Sequence, residues 1–144
     1  MKKLLMAAVA ALMFTGGAMA QTGGATFITD KPFAEVQKAA EKANKPIFMD
    51  IYTTWCGPCK FLSSNIFPAK AVGEYMNATF VNTKFDAEKG EGIELAKKYA
   101  VKGYPTMLIL NSKGEELGRL VGSSRTPEDF VQRLKDKMAE IGTK

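Results

Sequence analysis

The chain has 144 residues, 20 of them basic and 15 acidic, with no histidine and two cysteines. The small basic excess is interleaved with acidic side chains, which argues against a nucleic-acid-binding stripe. The lack of histidine removes Ser-His-Asp and Cys-His nucleophile systems and most zinc or copper ligand sets, and two cysteines fill only half of a tetrahedral zinc site.

The first twenty residues read as a leader and not as part of a fold. Lys2 and Lys3 form a basic start, residues 4–14 are apolar, and Ala18-Met19-Ala20 fits a small-x-small cleavage site. An apolar run of eleven residues falls short of the roughly 20 that a membrane-spanning helix needs. The expectation is therefore a cleaved signal peptide over 1–20, a single domain over 21–144, and export to a bacterial periplasm. The remaining 124 residues suffice for one core and carry 18 basic and 15 acidic groups. With one cysteine pair, the exported domain has no separate structural disulfide framework.

Taken in order, residues 21–25 are small and polar, and 26–29 suit a short edge strand. Thr29 and Asp30 offer capping oxygens to a helix with Phe33, Val36 and Ala40 on one face, ending near Asn44 because Pro46 disfavours helical geometry at Lys45. Residues 47–52 are apolar except at Asp50, the pattern of a strand buried on both faces of a parallel sheet. After the segment Trp55-Cys56-Gly57-Pro58-Cys59-Lys60, a helix places Cys59, Leu62, Ser63 and Ile66 on one face, and Pro68 interrupts it. Val72, Tyr75 and Met76 resume helical spacing, and 80–85 reads as a strand. The charged 86–92 is a loop, and Ile93, Ala96 and Ala100 mark the inner face of a third helix that Gly103 ends. Residues 106–110 form a central strand, 111–114 a turn, and 116–121 its hairpin partner. The last helix has Thr126 as cap, Pro127 first and Asp129 completing a capping box, with Phe130, Leu134, Met138 and Ile141 as its buried stripe. Strands alternating with helices favour a parallel sheet covered on both faces, closed by an antiparallel hairpin.

The two cysteines are three apart in one Cys-x-x-Cys motif between a strand and a helix. Such a pair lies on one helical face and can open and close without refolding the domain. At a helix start, free backbone N–H groups stabilise the Cys56 thiolate and make it the attacking group. Cys59, one turn in and less exposed, is placed to resolve a mixed disulfide. Pro58 fits the first helical turn, and Gly57 adds nothing to obstruct an incoming disulfide. As a structural staple, so short a loop would stabilise only weakly. Asp50 is a carboxylate in a strand expected to be buried, where its pKa should rise and suit it to accept the Cys59 proton. The alternative is that the strand turns it toward water or a lysine. Lys84 is either its charge partner or a surface residue, and Trp55 and Tyr52 either pack on the sheet or contact substrate.

With these residues in place, the chain resembles the thioredoxin superfamily over roughly 33–138. Trp55-Cys56-Gly57-Pro58-Cys59-Lys60 is similar to that family's signature, Asp50 to its buried aspartate and Lys84 to the neighbouring lysine. Gly103-Tyr104-Pro105-Thr106 resembles the segment that holds the cis-proline, and Gly122 a glycine of the last strand bordering the peptide groove. The resemblance implies an α/β thioredoxin-like fold, a three-layer α/β/α sandwich with a central mixed sheet and a C-terminal antiparallel hairpin. It also implies a cis bond at Pro105, which brings Tyr104 beside Cys56, and substrate contact by Trp55, Gly57, Pro58, Tyr104, Pro105 and Gly122. Tyr52 departs from the family's second tryptophan, and Tyr104 is bulkier than the usual residue before the proline. The spacing Tyr52-x-x-Trp55-Cys56 and the segment from Asn65 are closer to exported relatives such as the C-terminal domain of the transmembrane thiol:disulfide interchange reductase.

The expected activity is reduction of protein disulfides by dithiol exchange, with Cys56 as nucleophile, Cys59 resolving, and Asp50 with Lys84 handling the proton. Its partners would be protein disulfides and a membrane electron donor. No cofactor, metal or nucleic acid is called for, and a monomer is expected. A net oxidase or isomerase, or a peptide-binding module using the groove beside Pro105, are the alternatives.

Overall fold

The computed structural model describes residues 23–143. The expected leader over 1–20 lies outside the described residues.

The elements run α1 (Phe33–Ala43), β1 (Ile47–Tyr52), α2 (Gly57–Phe61), a π-helical turn (Leu62–Ile66), α3 (Lys70–Thr79), β2 (Val81–Asp86), α4 (Glu91–Lys98), β3 (Thr106–Leu110), β4 (Glu116–Val121) and α5 (Pro127–Gly142). The sheet order is β2-β1-β3-β4, with β1 at its centre. Among the four described strands, the β1/β2 pairing alone is parallel, Ile47 facing Val81 through Tyr52 facing Asp86. The parallel sheet expected from alternation is thus mixed: β3 begins opposite Ile51, near the end of β1, and runs back to Leu110 opposite Ile47. β3 and β4 form the expected hairpin.

Alternation along β1 separates two cores. Ile47, Met49 and Ile51 pack with Phe33, Val36 and Ala40 of α1 and Leu95 and Ala96 of α4. Phe48 packs on the other side with Leu62 and Ile66 of the π-helical turn, Val72 and Met76 of α3, and Phe130 and Leu134 of α5. Helices therefore cover both faces, giving the expected three layers.

Four local expectations change. The edge strand at 26–29 shrinks to one parallel bridge between Ile28 and Thr83. Side chains take over its hydrogen bonding: Thr26 N–H donates to Asn77 Oδ1 at 2.9 Å, Asn77 Nδ2 to the Gly24 carbonyl at 3.2 Å, and Asn82 Nδ2 to the Thr26 carbonyl at 3.2 Å. This strap lies so close to α3 that a Cβ at Gly73 would sit 2.5 Å from the Gly23 and Gly24 backbone. Second, α1 takes Pro32 as its N-cap, with no side-chain cap. Glu91 of α4 accepts from the Phe33 N–H at 2.9 Å instead, supplying from a distance what Thr29 and Asp30 do not.

Third, the buried face of α4 is Gly92, Leu95 and Ala96, while Ile93 is 48% exposed. A Cβ at Gly92 would lie 1.8 Å from the Asp86 carbonyl oxygen, so this close approach fixes the rotation of the helix and turns Ile93 outward. α4 also stops at Lys98, before Gly103, with Ala100 at φ 48° beyond it. Fourth, in α5 Phe130 and Leu134 are buried while Met138 and Ile141 are only half-buried, packed at the margin of the core. Its cap forms as expected, Asp129 N–H donating to Thr126 Oγ1 at 3.1 Å.

Candidate active site

β1 delivers the chain to the motif, and Cys56, in extended geometry at φ −77° and ψ 110°, is the N-cap of α2. Cys56 and Cys59 are joined by a disulfide, their Cα atoms 5.3 Å apart. Cys59 N–H donates to Cys56 Sγ at 3.1 Å. That donor is in place for a thiolate at position 56 and favours it over the neutral thiol. Pro58 sits in the first turn, where its missing N–H costs nothing. A Cβ at Gly57 would meet nothing within 4 Å, so glycine there serves an open approach and not a packing need. The expected difference in exposure does not appear, since Cys56 is 4% and Cys59 3% exposed. What separates the two sulfurs is the cap geometry, which gives Cys56 alone the amide donor.

Asp50 is fully buried, and neither carboxylate oxygen has a hydrogen-bond partner among the described residues. Loss of hydration raises its pKa from 3.8 to about 7, against an opposing pull from Lys84. Lys84 is its register neighbour on β2. The two form no ion pair among the described residues. The Lys84 amine donates to Ser63 Oγ at 3.0 Å and lies 4.9 Å from the centre of the Tyr52 ring. Tyr52 thus packs on the sheet as a platform for that amine.

The Tyr104-Pro105 peptide bond is cis. The rings of Trp55 and Tyr104 meet edge to face at 5.9 Å, bringing the proline loop against the motif. Gly122 lies one residue beyond β4 at φ 82°, a conformation that favours glycine, and its N–H donates to the Pro105 carbonyl at 2.9 Å. Trp55 is 65% exposed, yet its indole N–H donates to Glu88 Oε1 at 2.6 Å. Cys56, Gly57, Pro58, Trp55, Tyr104, Pro105 and Gly122 are thereby linked around one end of the sheet, with Asp50 and Lys84 in the strands beneath.

Sequence reasoning missed three residues here. Glu88 sits in a charged loop that reads only as surface. Ser63, expected on one face with Cys59, Leu62 and Ile66, is exposed and bonded to Lys84. Thr53 has a buried hydroxyl with no partner among the described residues, and nothing in its neighbourhood of the sequence announces that.

The thioredoxin-like domain family matches residues 33–137, most of the chain. The chain belongs to the thioredoxin-like family. Its Cys56–Cys59 pair sits within the matched domain. The chain is similar to the thiol:disulfide interchange protein DsbD of Pectobacterium atrosepticum, 29% identical over 122 residues covering 83% of this chain and 21% of that one. Thioredoxin Y1 of Arabidopsis chloroplasts is 32% identical over 96 residues, covering 67% of this chain and 52% of that one. The chain therefore spans about a fifth and about half of these two relatives. Among solved structures, a candidate disulphide-isomerase from Bacteroides thetaiotaomicron superposes with a TM-score of 0.70 at 48% identity, covering 83% of this chain and 97% of that one.

Proposed function

We propose that this thioredoxin-like protein is an exported reductase of protein disulfides. The observation that carries the reading is the Cys56–Cys59 disulfide, with an amide donor already on Cys56 Sγ and a buried carboxyl at Asp50 raised to about 7. In the reduced protein, the Cys56 thiolate attacks one sulfur of a substrate disulfide. The substrate S–S bond breaks, one substrate sulfur leaves as thiolate, and a mixed disulfide with Cys56 forms. Asp50 takes the Cys59 proton, and the Cys59 thiolate attacks Cys56 Sγ. This closes the intramolecular disulfide and frees the second substrate thiolate. The substrate gains two electrons, and the protein ends in the oxidised form described above.

The extended substrate backbone lies along Tyr104, Pro105 and Gly122, flanked by Trp55, Gly57 and Pro58. The leader over residues 1–20 directs export to the periplasm, where an electron donor held in the membrane restores the dithiol. Similarity to an interchange protein supports both points. The 48% identity to a candidate disulphide-isomerase favours a second reading, in which the same exchange reshuffles substrate disulfides.

Equilibration of the 21–144 domain in graded thiol buffers, followed by assays of reduction and of isomerisation of a protein disulfide, separates the two. A strongly reducing pair with reduction as the dominant activity supports the reductase, and an oxidising potential with dominant isomerisation overturns it. Cys56→Ser should remove at least 99% of either activity, and retention of activity in that variant would leave only peptide binding.

A further inference from the structure

The amine of Lys84 faces a choice of partner. Among the described residues its register neighbour Asp50 has no hydrogen-bond partner for either oxygen, yet the amine bonds to Ser63 and rests against three rings, at 4.9 Å from Tyr52, 5.5 Å from Phe27 and 5.8 Å from Phe67. An opposite charge brought closer to a buried carboxylate lowers its pKa, so where this amine is held matters for Asp50.

Ser63 meets the amine from within the π-helical turn. The Phe67 N–H passes over the usual fourth carbonyl back and donates to the Leu62 carbonyl at 2.8 Å. Ser63 is exposed on this turn, while Cys59, Leu62 and Ile66 are buried. Both Ser63 and Lys84 line a cleft of about 380 Å³ beside the 23–27 strap, which leaves the amine room to move.

We propose that Ser63 is a positioning residue: its hydroxyl holds the Lys84 amine away from Asp50 and so sets the pH range in which Asp50 can accept a proton. The other groups at this corner are accounted for. Asp86 and Asp50 both bear on Tyr52, β3 presents Met107 opposite Asp50, and the covering helical segment presents the disulfide-bonded Cys56 and Cys59. Lys84 is the cation whose charge acts on Asp50. The consequence for exchange rests on the oxidoreductase reading above, whereas the Ser63 effect is read on the Asp50 carboxyl itself.

The test is a carbon-13 NMR titration of the Asp50 carboxyl in the oxidised protein, which involves no exchange chemistry. In Ser63→Ala the freed amine approaches Asp50, and the midpoint falls by about one pH unit. Ser63→Thr keeps a hydroxyl and restores the wild-type midpoint. Lys84→Met raises the midpoint, and adding Ser63→Ala to it changes nothing further. An unchanged midpoint in Ser63→Ala overturns the proposal, and so does an equal fall in the Lys84→Met background, which would make Ser63 act without the lysine.

Discussion

The two faces of β1 differ in kind although they share a backbone. One face carries Ile47, Met49 and Ile51, all fully buried, against Phe33, Val36 and Ala40 of α1 and Leu95 and Ala96 of α4. The other carries Phe48, Asp50 and Tyr52. Phe48 meets Phe27, Phe67, Phe80 and Phe130 at ring separations of 5.9–6.5 Å, while Asp50 is buried with no hydrogen-bond partner among the described residues. The first face is pure packing, whose cost is settled by burial alone. The second combines dense aromatic packing with a charge that the packing makes expensive. Burial keeps water from the carboxyl, and that exclusion is what raises its proton affinity.

This contrast can be broken by substitution. The largest expected loss is in Phe48→Ala, which empties the centre of the ring cluster and should cost about 3–5 kcal/mol in urea unfolding. It should also let water reach Asp50 and lower its titration midpoint. A midpoint unmoved in a variant that still folds would separate the rings from the charge.

Next comes the pH dependence of stability. The Asp50 carboxyl ionises near 3.8 when unfolded and near 7 when folded, so between these values the folded form binds more protons. Its share of stability is full below the unfolded value and is lost as pH rises through the folded one. Wild type should therefore lose about 3 kcal/mol between pH 5 and pH 8 relative to Asp50→Asn, at 1.36 kcal/mol per pH unit. Parallel urea-midpoint curves for the two proteins would contradict this.

On the Ile47, Met49 and Ile51 face, Ile51→Val should cost about 1 kcal/mol and leave the pH dependence as in wild type. Smallest of all, Lys38→Ala removes the exposed pair with Glu35 on α1 and should change stability by no more than about 0.5 kcal/mol in the same assay.

Much of this architecture is legible in the sequence because it follows local rules. The apolar run 47–52 reads as a central strand, Thr126 and Pro127 announce α5, and the Cys-x-x-Cys spacing predicts a pair able to close. The misreadings share a cause, which is that a distant residue does the work. The cap of α1 comes from Glu91, and the edge strand at 26–29 gives way to side chains of Asn77 and Asn82. α4 rotates about the contact of Gly92 with Asp86. At the site, the cysteines and Asp50 are legible from type and spacing, and Pro105 from the family resemblance. Ser63 and Glu88 are not, since a π-helical turn and a loop position them through tertiary contacts.

Gly73 illustrates what such contacts demand of a sequence. By helix propensity alone, glycine within α3 is a weakness that alanine would mend by about 1 kcal/mol. Here the missing side chain is the seat of the strap, and the strap carries Phe27 to within 4.9 Å of the Phe67 ring. A methyl group at 73 would lever that aromatic side chain out of the cluster around Phe48. A position that looks open to improvement is thus among the least tolerant of change, and the reach of a single added carbon extends from the outer helix to the ring cluster behind the catalytic strand.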